Sequence, residues 1–296
     1  MTLYTHIDSN IRKTWLLFSL FFIIIIGLGW FLSYYFDNQG VLFIAVFISI
    51  FMSFISYWFS DKIVLAISHA KSLAHDENPE LYHIVENLCI TAGLPMPKIY
   101  LINEPAPNAF ATGRNPKNAV IAITEGLLRI TDRSELEGVI AHELSHIGNR
   151  DILLQTVVVV LVGAISLIAD MFIRGRFFRG RKSDSEGGGQ AQAILMLVGL
   201  IFIILSPLIA KLIQLAISRK REYLADADGA LLTRYPEGLA RALEKISQNP
   251  ISLRTANSAT AHLYITNPLK NKGLAKFFMT HPPIEERIKR LREMSV

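Results

Sequence analysis

Residues 132–151 read DRSELEGVIAHELSHIGNRD, and how this stretch folds decides how the rest of the chain must be arranged around it. Asp132, three residues before Glu135, has the spacing of a capping box, which predicts a helix that starts there and runs through His146 to Gly148 and Asn149. On such a helix His142 and His146 are four residues apart and lie one turn above the other on the same face. Two imidazole nitrogens can then reach one ion at about 2.0–2.1 Å. Glu143 points to the adjoining surface, where it can act on a water beside such an ion rather than on the ion itself.

A hydrolytic zinc site usually takes three protein ligands and leaves a fourth position for water, so a further ligand must come from another segment. Glu222 is the favoured candidate. It opens a helix in the run 218–226, SRKREYLAD, and Asp226, one turn later on the same face, is placed to orient a metal-bound histidine. The same spacing also suits a solvated face on which Glu222 merely balances Arg219, Lys220 and Arg221. His262 and His281 are the other candidate third ligands.

Outward from this site the chain is apolar. Of its 296 residues 51% are hydrophobic, and the mean hydropathy is +0.35. Trp15 to Phe36 and Val41 to Ser60 are two essentially uncharged runs of membrane-crossing length, separated only by Asp37-Asn38-Gln39-Gly40. A link that short requires an antiparallel hairpin with both outer ends on one side of the membrane. Soluble helices rarely lack a polar stripe for so long. The first run is too long for a signal peptide, ends in Trp30, Tyr34 and Tyr35, and lacks a small-residue cleavage site, so it reads as a retained anchor. Arg12 and Lys13 before the hairpin and Lys62 and Lys71 after it place the outer ends in the cytoplasm. A single cysteine, Cys89, excludes an internal disulfide. The net charge of +5 is ordinary for cytoplasmic flanks and calls for no nucleic acid.

Two further apolar stretches, Ile152 to Ile173 and about Ala191 to Ile217, are interrupted by Gln155 and Asp170, and by Pro207 and Lys211. They flank a basic, glycine-rich loop, 174–190. Spanning would put that loop outside, against the positive-inside tendency, whereas dipping in and returning would not. Either way the chain after Ile217 returns to the side that holds His142. Before the histidines, Glu80 to Ala92 has helical spacing. Lys98 to Ile102, Ala109 to Thr112 and Ala119 to Thr124 read as strands of a small sheet. Helices are expected again at Arg219 to Thr233, Glu237 to Gln248 and Ile284 to Met294. His146 precedes Ile152 by six residues and Glu222 follows Ile217 by five, which sets the site at the membrane surface.

HELSHIGNRD, followed by a hydrophobic pair and then REYLADADGA, resembles the HtpX heat-shock metalloproteases, relatives of the CAAX prenyl proteases; the likeness spans nearly the whole chain. The resemblance implies that His142, His146 and Glu222 bind one zinc ion per chain and that Glu143 is the general base. It implies that Asn108, Ala109, Phe110, Ala111 and Thr112, within the run PNAFATG, form a strand that holds substrate extended. It also implies that His281, in His281-Pro282-Pro283, and Arg287 support the transition state, although His281 is equally placed to cap the last helix. The fold expected is mainly α, a multi-pass membrane protein with a cytosolic, gluzincin-like α+β zinc-peptidase domain.

The expected organisation is a cytoplasmic N-terminus (1–14), a transmembrane hairpin (15–60), a first catalytic half (61–151), a second membrane pair (152–217) and a second catalytic half (218–296). The expected partners are the lipid bilayer and membrane-protein or unfolded-protein substrates, with no nucleic acid. The expected location is the bacterial inner membrane with the site facing the cytoplasm, and the expected role is quality control. Three rivals differ in testable ways. An intramembrane protease would place HExxH inside an apolar span, whereas Arg133, Glu135, Glu137, Asn149 and Arg150 surround this one. A prenyl-protein protease would differ in substrate. A transporter or scaffold would pair ionisable residues within its spans, where only Asp170 and Lys211 qualify.

Overall fold

The computed structural model describes residues 3–35, 37–161, 163, 219–249, 251, 263–265 and 282–294. The basic loop, the apolar stretch after it, half of the apolar stretch before it, His262 and His281 lie outside the described residues.

Helices α1 (Leu3–Tyr35) and α2 (Gln39–Trp58) form the expected hairpin. Asp37 turns the chain with φ of 47°, and the Asn38 side chain caps α2 by accepting from the Gly40 N–H. The helices cross at Gly29, where a Cβ would collide with that of Ala45. Their apolar side chains point outward: Trp15, Ile23, Trp30, Phe43 and Phe47 are 62–71% exposed. Only 28% and 17% of the most apolar windows of α1 and α2 are buried, so this is a membrane-facing surface and not a core. Within the stretch 1–14, expected as the cytoplasmic N-terminus, the chain is helical from Leu3 onward.

After α3 (Ser60–Ile67) and the short β1 (Lys71–Ser72), α4 (Pro79–Ala92) is capped by the Asn78 side chain and closed by Gly93 at φ 65°. Strands β2 (Lys98–Ile102), β3 (Ala109–Gly113) and β4 (Ala119–Thr124) complete a sheet of order β1-β2-β4-β3. In it β2 runs parallel to β4, with Ile99 opposite Ile121. Strand β3 runs antiparallel to β4 at the sheet edge, with Ala111 opposite Ile121. Both faces are covered. Ile99, Ile121 and Ile123 pack on α4 and on the helix of the HELSH segment, while Phe110, Val120 and Ala122 pack on Val64 of α3 and on Val159. That is why β4, AVIAIT, is an unbroken apolar run rather than an alternating one.

The remaining described elements are α5 (Glu125–Ile130), α6 (Arg133–Gly148), α7 (Asp151–Leu161), α8 (Arg219–Thr233), α9 (Pro236–Gln248) and α10 (Ile284–Arg292). Helix α6 is the central element, wedged between the sheet and helices α4, α8 and α9. Its capping box forms as expected: Asp132 accepts from the Glu135 N–H at 3.0 Å and Glu135 from the Asp132 N–H at 2.8 Å. Lys245 of α9 holds the same glutamate at 2.7 Å. Helix α8 meets α6 at Gly229, where a Cβ would lie 3.0 Å from the His142 nitrogen. Two turns earlier on the same face of α8 stands Glu222. Helix α7, the first described part of the apolar stretch from Ile152, is buried in protein: Val159 packs under the sheet, and Val157 and Leu161 pack on Phe18 and Phe21 of α1. The sheet strands and helices expected between Glu80 and Met294 fall within two residues of their expected limits, whereas α3, β1 and α5 were not foreseen.

Candidate active site

Glu222 of α8 faces both histidines of α6. His142 Nε2 lies 4.0 Å from Glu222 Oε2 and His146 Nε2 lies 3.6 Å from Glu222 Oε1. One donor atom from each of the three residues lies within 4.8 Å of the others. All three side chains are buried, with exposures of 1%, 5% and 2%. The imidazole rings stand nearly perpendicular, at 89°. Each ring is held from behind by a carboxylate: His142 Nδ1 is 3.0 Å from Asp226 Oδ1, and His146 Nδ1 is 2.9 Å from Asp151 Oδ2. With a carboxylate oxygen close to each Nδ1, both Nε2 atoms are left toward Glu222 as potential ligands.

Asp226, expected to orient a histidine, stands one turn beyond Glu222 and against His142. Asp151 was not singled out, although it ends the quoted motif. The reason is geometric: Arg150 has φ of 56°, so the chain leaves the helix in a left-handed turn and swings Asp151 back beneath His146. Helical periodicity cannot show such a return. Arg287 is completely buried and donates through Nε and Nη2 to the two Asp226 oxygens at 2.8 and 2.7 Å, and through Nη1 to the Ile265 carbonyl at 3.0 Å. Nη1 is also 3.8 Å from Glu222 Oε2. Expected to support the transition state, Arg287 here directs its guanidinium to Asp226, to the Ile265 carbonyl and toward Glu222.

The electrostatics divide the groups by task. Burial lowers the pKa of His142 despite Asp226, which keeps the ring neutral. Burial also pulls down that of His146, but Asp151, Glu222 and Glu143 outweigh it and raise the value to about 9. Burial works to raise Asp226, yet Arg287 and His142 hold its carboxyl down at about 2. Burial pushes Glu143 up to about 7, against the pull of His146, with a contribution from the neighbouring Glu222.

Strand β3 supplies the opposite wall. The Ala111 N–H donates to Glu143 at the edge of β3 away from β4, where no further strand pairs among the described residues. On the same edge the Ile265 N–H takes the Ala109 carbonyl at 3.1 Å. Asn108 secures the entry to the strand, its Oδ1 accepting from the Ala109 N–H and its backbone exchanging hydrogen bonds with the Thr124 hydroxyl. Side chains alternate along the strand, so Phe110 stacks edge-on against Tyr264 and the Thr112 hydroxyl meets that of Thr156 at 3.0 Å, both away from Glu143. Of the five residues expected to hold substrate, Ala111 meets Glu143 through its backbone.

A metallopeptidase of the HExxH type, carried on a membrane hairpin, is the class that this fold and this grouping of donors define. The chain belongs to peptidase family M48, which it matches over residues 75–295. It is thus a metalloprotease of the HtpX type. It is 47% identical over 294 residues to a protease HtpX homolog of Dictyoglomus turgidum, with 99% of this chain and 95% of that one covered. To the HtpX homolog of Syntrophobacter fumaroxidans it is 53% identical over 258 residues, covering 85% and 89%. To that of Pyrococcus furiosus it is 46% identical over 286 residues, covering 96% of each. Among solved structures it is similar in fold to Ste24p of S. mikatae, with a TM-score of 0.51, 19% identity and coverage of 97% of this chain and 67% of that one.

Proposed function

We propose that the chain is a zinc-dependent, membrane-bound endopeptidase that cuts membrane or misfolded proteins at the cytoplasmic face of the bacterial inner membrane, as part of membrane-protein quality control. The observation that carries this reading is the convergence of His142 Nε2, His146 Nε2 and the Glu222 carboxylate, with each histidine backed by its own carboxylate.

The donors suit zinc. Two nitrogens and one oxygen, buried together and stiffened from behind, are the ligand set of a three-ligand hydrolytic zinc site. When bound, zinc would polarise the scissile carbonyl and lower the pKa of water toward about 7. Glu143 lies beside the three ligands without joining them. It takes a proton from the attacking water and delivers it to the leaving amine, a task that suits a carboxyl whose pKa burial has raised to about 7. Asp226 and Asp151 keep the two imidazoles turned inward, and Arg287 neutralises Asp226. His281, outside the described residues, keeps its proposed role as a donor to the developing oxyanion.

Substrate would lie extended along β3 by strand addition, beyond the Ala109 carbonyl that Ile265 already occupies. Recognition through backbone implies broad specificity. Next to the end of β3, the Arg114 guanidinium lies 4.2 Å from the ring of Trp58 at the end of α2, which supports a substrate path that begins at the membrane surface. The flanking Arg12, Lys13, Lys62 and Lys71 support the cytoplasmic orientation.

The test is zinc content together with casein cleavage for detergent-purified wild type, Glu143→Ala and Glu222→Ala. Wild type and Glu143→Ala are expected to retain about one zinc each, with activity only in wild type, and Glu222→Ala to retain metal poorly. Activity in Glu143→Ala would overturn the reading.

A further inference from the structure

The anchor helix reaches the metal site. Asn10 lies on α1 before its most apolar part, yet it is only 4% exposed. Its Nδ2 donates to Asp151 Oδ1 at 2.7 Å and to the Asn149 carbonyl at 3.0 Å, and its Oδ1 accepts from Arg221 Nη1 at 3.5 Å. Arg221, the residue before Glu222, places its Nε 3.3 Å from the same Asp151 Oδ1. The other Asp151 oxygen holds His146 Nδ1 at 2.9 Å. One carboxylate is therefore divided between two tasks. Its inner oxygen aims a metal-facing histidine, and its outer oxygen is gripped by the first membrane helix and by the neighbour of Glu222.

An anchor that served only as a tether would need no amide at this depth, because a buried amide costs free energy unless its hydrogen bonds are made. These bonds are made, and all of them go to the turn that follows HELSH or to α8. Phe18 and Phe21 of α1 pack on Val157 and Leu161 of α7 and fix the anchor against the helix that begins with Asp151. The lateral position of α1 is thereby tied to the rotamer of Asp151.

From this we infer that Asn10 is a positioning residue of the active site: by holding Asp151 against His146, the anchor helix keeps His146 in metal-binding orientation, so that unseating α1 weakens metal retention. This inference rests on the zinc reading above. Its functional consequence is that the peptidase is competent only when its N-terminal helix is seated, which ties activity to proper insertion in the membrane.

The experiment uses the full chain in detergent, loaded with zinc, and measures zinc release to a chromogenic chelator and the absorption spectrum of the cobalt-substituted protein. The variants are Asn10→Ala, Asn10→Asp, Asp151→Asn and the exchange Asn10→Asp with Asp151→Asn. Asn10→Asp keeps the volume but sets a second carboxylate against Asp151. Each single variant is expected to release zinc about tenfold faster, as loss of a ligand's outer partner does, and to alter the cobalt bands. The exchange keeps an amide and a carboxylate facing each other and leaves an acceptor for His146, so it restores slow release. Wild-type release and spectra in both Asn10 variants would overturn the inference, and so would fast release in the single variants with no recovery in the exchange. A wild-type protein that retains no zinc would instead overturn the metal reading beneath it.

Discussion

Replacing Asp226 with asparagine separates what this residue does for folding from what it does for the metal. Its carboxylate meets Arg287 through two hydrogen bonds of 2.8 and 2.7 Å, with both residues almost completely buried. Held at about 2 by Arg287 and His142, below the 3.9 of an unfolded aspartate, this carboxyl contributes roughly 2–3 kcal/mol. Because the native pKa is the lower one, that stabilisation is complete above about pH 4 and is lost as pH falls toward 2. Asp226→Asn also leaves the guanidinium buried without its main partner, and breaking a buried pair from one side costs about 3–5 kcal/mol. We therefore expect the metal-free variant to lose about 3–5 kcal/mol in denaturant unfolding at pH 7 and zinc affinity to fall about 10–100-fold. Adding Arg287→Met removes the orphaned charge, so stability should largely return while zinc affinity stays low, because His142 still lacks its carboxylate. A loss under about 1 kcal/mol in the single variant, or recovery of zinc affinity in the double one, would refute the reasoning.

Arg150 sits at φ 56°, a conformation glycine adopts freely and a β-branched residue does not. Arg150→Gly should leave zinc release nearly unchanged, whereas Arg150→Val should cost about 1–3 kcal/mol and speed release by displacing Asp151; equal behaviour of the two would contradict the role given to the turn. The pKa of His146 is raised to about 9, and the imidazolium cannot bind metal. Zinc affinity should therefore climb about tenfold per pH unit between pH 7 and 9 and then level off, with the break shifted to lower pH in Asp151→Asn; competition titrations against a chelator of known pH dependence would show this, and a flat profile would count against it. Glu143→Gln should keep its zinc and lose about 10²–10⁴ in kcat, measurable on a quenched fluorescent peptide.

Much of the site was legible because its parts lie on helices whose period is known. The four-residue spacing of His142 and His146, and of Glu222 and Asp226, sets each pair on one helical face whatever surrounds it, and the Asp132 and Glu135 capping box marks where α6 begins. The strands at Lys98 and Ala119 were readable as β-rich apolar runs between prolines and asparagines. Arg287 was found through its resemblance, but its partner was not, since nothing in IEERIKRL says which carboxylate a guanidinium from another helix will meet. Phe110 and Thr112 lie on the strand expected for them, and the two-residue alternation that turns their side chains away from Glu143 leaves only backbone to face it.

The order of residues in the chain by itself determined the membrane hairpin, the capped metal-binding helix and the chemistry of its two histidines, because each depends on interactions within a few residues of sequence. Only the tertiary structure decided the rest. It brought Glu222 up to face both histidines by packing α8 against α6 through Gly229. It brought Asp151 under His146 by a left-handed turn, and it set Asn10 of the anchor against that same carboxylate. These contacts join residues separated by 80, 5 and 141 positions, and they depend on close packing between whole elements, which no local spacing encodes.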